Sequence, residues 1–191
     1  MTHRPITAES LFEDHFRRFY PPEQRDDLAT LIAARARAIE LDPEVAAEHA
    51  RSISEAIHGL AHHAPIVLDR RDLVLDLSDA SVHHLGAALD RSARDRLLAE
   101  PRRDDEPSTL FNVVVHGAAY VGACVVERHG GVWGVRRPLW ESVVRLRSRA
   151  GEGDLAVFHW WLKSLSDDGG DGRGATLADR YRTHVEVPCA R

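Results

Sequence analysis

Lysine is nearly missing from this chain of 191 residues: Lys163 stands alone, and every other basic side chain except histidine is arginine. Such a bias, joined to heavy alanine use, marks a GC-rich coding genome before it marks any arginine chemistry. Cysteine is scarce too. Cys124 lies inside an apolar run and Cys189 near the carboxyl end, so a buried thiol and a tail thiol are expected rather than a disulfide framework. The first residues lack the apolar core of a secretory signal. No uninterrupted apolar stretch reaches the ~18–20 residues that a bilayer span requires. A cytoplasmic protein without a membrane partner is the expectation.

Catalytic signatures are missing as well. No G-x-S-x-G elbow occurs, and the sequence around Cys124 offers nothing to lower a thiol pKa. The glycine-rich stretch 169–174 lacks the Lys-Ser/Thr ending of a phosphate loop and reads as a linker. Asp167, Asp168 and Asp171 beside it miss the ligand spacing of a calcium loop and read as a solvated acidic turn. Acidic residues (30) outnumber Lys and Arg (25), for a formal net charge of −5. With the two signs interspersed, a nucleic-acid partner is not expected.

What is present is helix. Leu11, Phe12, Phe16 and Phe19 recur at helical spacing over 7–19. Pro21 and Pro22 divide that segment from a second, over 23–40, with Leu28, Leu31, Ile32, Ala36 and Ile39 on one side. Asp42-Pro43 is a cap followed by proline at the first helical position. It opens a third helix with Val45, His49, Ile53, Ile57 and Leu60 on one stripe. After Ala64-Pro65 the runs 66–68 and 73–77 look like strands. Ser78 then caps a fourth helix reaching toward Leu97 and Leu98. Residues 108–129 are apolar almost all round, which marks the central helix of a core, and Gly130-Gly131 end it. Short strands at 132–135 and 142–146 form a hairpin through Arg136, Arg137 and Pro138. An amphipathic helix over 154–165 and a short one from Thr176 follow. The fold class is mainly α with a small β element (α+β). A helical layer over 1–64 packs on a 65–191 segment built around the central helix and hairpin, the two forming one compact domain.

Several of these residues carry a resemblance. Gly117-Ala-Ala-Tyr-Val-Gly122 in the central helix, Gly131-Val-Trp133 after it and the later helix with Phe158 and Lys163 are the relevant features. Together they resemble uncharacterised bacterial domains of unknown function in which a Gly-x-Tyr-x-Gly helix precedes Gly-x-Trp. The resemblance covers about residues 73–165. Ala123 stands where those domains carry an acidic residue, so any role of that carboxylate is absent. The resemblance implies a bacterial accessory or immunity protein and brings no activity with it.

Two side-chain resources remain. Among 12 histidines, His58 and His62 sit four apart on one helix face. With His116 they would make a three-nitrogen site for a divalent transition metal on a helical bundle. No H-E-x-x-H accompanies them, and a helix C-terminus favours histidine without any metal. The second resource is Arg136, Arg137 and Trp140 in the hairpin connection, joined by Trp160. Arginine and tryptophan exposed together anchor protein interfaces. The expected function is therefore a non-enzymatic accessory, inhibitor or immunity protein, regulatory in kind and without a cofactor. It acts by protein–protein interaction through Arg136, Arg137, Trp140 and Trp160. The alternative is a metal-dependent enzyme using His58, His62 and His116.

Overall fold

A computed structural model describes residues 5–27, 30–100, 106–168 and 175–190. The chain is mainly helical with one small antiparallel sheet. Helix α1 (Ala8–His15) starts on a capping box in which the Thr7 and Ser10 side chains each accept from the other's backbone N–H. A 3₁₀ turn (Arg17–Phe19) follows it. The helix expected over 23–40 is instead two short pieces, α2 (Pro22–Arg25) and α3 (Leu31–Arg35). Leu31 and Ala34 are the buried residues of α3, while Ile32 is 80% exposed. Leu28 lies outside the described residues. Beyond α3 the chain is tied to the hairpin connection by one side chain and one backbone N–H. Arg37 Nε donates to the Arg137 carbonyl at 2.7 Å, and Glu40 N–H to that of Val135 at 2.7 Å.

Asp42 caps α4 (Pro43–Val67) by accepting from Glu44 N–H at 2.8 Å. This helix runs through Pro65 instead of ending before it. The proline falls in the last turn, which buried Ala64 and Leu68 hold in place. No strand forms at 66–68 or 73–77. The in–out alternation of the second run is real, with Leu73 buried and Val74 exposed, but no neighbouring strand meets its backbone. Leu77 N–H donates to the Tyr120 hydroxyl at 2.9 Å, and Arg128 Nε donates to the Leu77 carbonyl at 3.0 Å. The fourth helix is likewise two, α5 (Asp79–Ala88) and α6 (Arg91–Ala99), because Asp90 turns out to cap the second through Ala93 N–H.

Helix α7 (Thr109–His129) begins at the Ser108 cap and ends on Gly130, whose φ of +69° places it in the left-handed region. This helix is long and apolar enough to cross a membrane, contrary to the expectation that no such stretch exists; most of it is buried inside the fold, packed against α4 and α5. A central core helix and a membrane span share the same apolar signature. Strands β1 (Val132–Gly134), β2 (Val143–Ser148) and β3 (Gly151–Leu155) form the sheet in that order. The hairpin is as expected; β3 is not. Its Gly-Glu-Gly-Asp run has low β propensity and forms by pairing with β2, with Arg145 opposite Asp154.

Helix α8 (Val157–Leu165) packs on α7 and buries both Trp160 and Trp161. It is amphipathic as expected, with Lys163 on its exposed side. The chain closes with α9 (Leu177–Tyr181), a π-helical turn (Arg182–Glu186) and α10 (Val187–Cys189). His83 meets Glu186 at 2.9 Å and ties α5 to that turn. Asp167 and Asp168 are not a solvated turn. They accept from Ile6 N–H (2.9 Å) and Ala8 N–H (2.7 Å), and Asp167 also from Arg94 Nη1 at 2.6 Å. Asp171 lies outside the described residues. One apolar cluster draws on both 1–64 and 65–191. At its centre Phe16 stacks on Phe111 (5.3 Å) and meets Phe158 edge-on (5.1 Å).

Candidate functional site

Between α4, α7 and the β1–β2 connection lies an open groove of about 630 Å³. Its walls are aromatic and aliphatic: Phe19, Ile53, Trp133, Leu139 and Trp140. Each wall has a local cause. Trp133 sits on β1 at the outer edge of the sheet, opposite Val144, and its ring occupies the space over Gly122 of α7. Trp140 rides on a 3₁₀ turn (Leu139–Glu141) that starts after Pro138. Its ring packs edge-on against Tyr20 (5.7 Å) and Phe111 (5.3 Å).

A buried network lies behind that turn. Tyr20 donates its phenolic proton to Glu141 Oε1, and His159 Nε2 meets Glu141 Oε2 at 3.0 Å. All three residues are buried. Burial first, then the neighbouring carboxylate, raises the Tyr20 pKa far above its ordinary value, so this phenol stays protonated as a donor. The turn thus has two faces. Glu141 anchors inward while Trp140 borders the groove.

One buried polar atom at the groove, His49 Nε2, has no hydrogen-bond partner among the described residues, whereas the Trp140 indole N–H faces the Tyr20 phenol. His49 is only 3% exposed, and its ring meets Trp133 edge-to-face at 4.9 Å. Burial lowers its pKa, which favours the neutral imidazole. At the mouth Arg137 Nη2 donates to Glu48 Oε2 at 2.9 Å, both side chains being 45% exposed. Glu55 adds a second carboxylate to the lining.

The residues singled out from the sequence are scattered by this geometry. Arg136 does not project. It is 8% exposed, donates its Nη1 to the Arg35 carbonyl at 3.1 Å, and lies 3.9 Å from Asp154. Arg137 is exposed at the groove, and Trp140 is half-buried there. Trp160 faces elsewhere: it is 8% exposed and stacks on His184 at 5.4 Å. The three histidines do not converge. His58 and His62 are exposed, and His58 Nδ1 is 2.7 Å from the Ser54 carbonyl in its own helix. His116 is half-buried; burial, then nearby His63, lowers its pKa. Among the described residues no three His, Cys, Asp or Glu side chains are grouped to hold a metal ion.

No family model, curated protein or solved structure matches this chain. The groove therefore has to be read from its own residues. The sequence pattern places His49 as one member of an apolar stripe. The signal for His49 was there: a polar ring at a position where Val45 and Ile53, four away on either side, are aliphatic. For Tyr20, Glu141 and His159 there was none, since they meet only through the fold.

Proposed function

We propose that this chain is a non-enzymatic binding module, an accessory, inhibitor or immunity protein, and that it grips another protein at this groove. The carrying observation is an aromatic-walled groove of about 630 Å³ with a buried, unpartnered imidazole nitrogen, His49 Nε2, in its lining. Binding sites are concave and mostly apolar, with few well-placed polar groups. Tryptophan and arginine dominate interface energetics, and Trp133, Trp140 and Arg137 border this groove. Two reactive groups of the fold are committed elsewhere, which also favours binding over turnover. Both Glu141 oxygens are bonded. The Cys124 thiol is sealed in the core, where burial pushes its pKa up to about 12. The resemblance to small bacterial domains points the same way.

Photo-crosslinking tests this reading. A crosslinking residue at position 52, in the groove wall, should trap a partner protein in cells of the native host. The same residue at His84, on exposed α5 surface, should not. Filling the groove with Ser52→Phe should abolish trapping from position 137. Equal trapping from 52 and 84 would place the partner surface elsewhere.

A further inference from the structure

A second cleft shares no lining residue with the groove. It is open, about 640 Å³ in volume, and lies where the end of α7, the end of β2 and α10 meet. Three arginines border it: Arg128 from the last turn of α7, Arg147 from β2 and Arg149 from the turn that follows β2. No Asp or Glu side chain stands among the described residues of its lining. We propose that this cleft is an anion site that holds the phosphate group of a small phosphorylated molecule.

Charge carries the argument. Arg128 donates its Nε to the Leu77 carbonyl at 3.0 Å, and among the described residues none of the three arginines has a carboxylate in ion-pair contact. The carboxylates near them are engaged. Glu152, opposite Arg147 in the ladder, lies 3.7 Å from Arg145, which also meets Asp154 at 3.1 Å. Asp79 accepts from His129 Nε2 at 3.0 Å and from the Tyr181 hydroxyl at 2.6 Å. The carbonyl end of α7 accounts for a cation in its last turn. It does not account for Arg147 and Arg149, which come from the sheet. Arg149 N–H donates to the Pro188 carbonyl at 3.2 Å, holding the end of β2 against α10. Like charges gathered round one concavity repel, and an anion between them removes that repulsion.

The lining also narrows the ligand. Guanidinium forks pair with carboxylates and phosphates alike. A phosphate, with about −2 charge and three free oxygens, suits forks that arrive from separate elements better than a planar carboxylate does. No Phe, Tyr or Trp lines the cleft, so nothing there stacks on a base or receives an acyl chain. A polar body such as a sugar fits it. The net charge of −5 and the confinement of these cations to one concavity disfavour a nucleic-acid strand.

The test titrates the full chain with inorganic phosphate, ribose phosphate, succinate and a single-stranded RNA decamer, following backbone amides by NMR. Expected is saturable binding of phosphate and ribose phosphate, with shifts centred on residues 128–130 and 147–149 and weakening as salt is raised. Arg147→Gln should weaken ribose phosphate by about tenfold or more, the worth of a charge-assisted hydrogen bond. Arg51→Gln removes the same charge from the exposed surface of α4, outside the cleft. It should change binding by less than about twofold. Unchanged thermal unfolding shows that both variants are folded. Equal weakening by the two variants, or no saturable shift up to about 10 mM ligand, would overturn the anion site. Succinate binding as tightly as phosphate would overturn the choice of phosphate. Phosphate binding without ribose phosphate binding, or the RNA binding more tightly than ribose phosphate, would overturn a small phosphorylated molecule as its source.

Discussion

The indole of Trp161 occupies the space that any side chain at Gly117 would need: a Cβ built on Gly117 would overlap the Trp161 ring. Gly122 stands in the same relation to Trp133. The glycines of α7 are thus seats for two tryptophan rings from other elements, rather than points where helix backbones touch. Gly117→Ala should accordingly destabilise the fold, although alanine gains about 1 kcal/mol in helix propensity. Overpacking costs about 1–3 kcal/mol, and Gly117→Leu should cost more. At roughly 2–4 °C per kcal/mol for a chain of this size, a thermal melt resolves the loss. Combining Gly117→Ala with Trp161→Phe should cost less than the sum of the two single changes. An alanine variant melting at or above the wild type would refute this packing.

Alkaline pH should unfold the protein through its tyrosines. All three, Tyr20, Tyr120 and Tyr181, have raised pKa values with burial the largest cause; Tyr120 is pushed up to about 12. The folded state holds these protons while the unfolded chain releases them near pH 10. The stabilisation is therefore full below about pH 10 and is lost as pH rises toward the folded values. Each tyrosine contributes a slope of about 1.4 kcal/mol per pH unit, so the three together approach roughly 4. Denaturant unfolding at pH 9, 10 and 11 should show this fall, and Tyr20→Phe should lessen it by about a third. The same variant should cost about 1–3 kcal/mol at pH 7, because a buried Glu141 oxygen loses its donor.

Asp167 should act as a clasp for the amino-terminal segment. It accepts from Ile6 N–H and Arg94 Nη1, and its own N–H donates to the Ile6 carbonyl at 2.6 Å. Asp167→Ala should cost about 1–3 kcal/mol, since buried Arg94 then keeps, among the described residues, Asp95 alone as an acidic partner. Hydrogen exchange at Ile6 and Ala8 should accelerate more than exchange in α7. The bonds to Arg94 and Ile6 hold the Asp167 carboxyl below its ordinary range. Its contribution is thus present above about pH 4 and lost as pH falls through the folded value. Equal acceleration throughout the chain would mean that no separate clasp exists.

What this sequence determined by itself is the part of the structure governed by neighbours a few residues apart. The Ser108 cap and Gly130 bracket α7, Asp42-Pro43 starts α4, and the apolar surround of 108–129 marks the central helix; each rests on contacts within about one turn. Only the tertiary structure decided the rest. Residues 73–77 alternate like a strand, yet an extended segment becomes one only when another backbone lies beside it, and here Tyr120 and Arg128 take those bonds. Residues 23–40 carry a helical stripe, but the hairpin connection captures the Arg37 side chain and the Glu40 backbone. The groove and the buried network behind it unite α4, α7 and the Leu139–Glu141 turn with Tyr20, which lies 121 residues from Glu141 in the chain. A hydrogen bond over that separation forms because two surfaces pack, and no local window of residues encodes it.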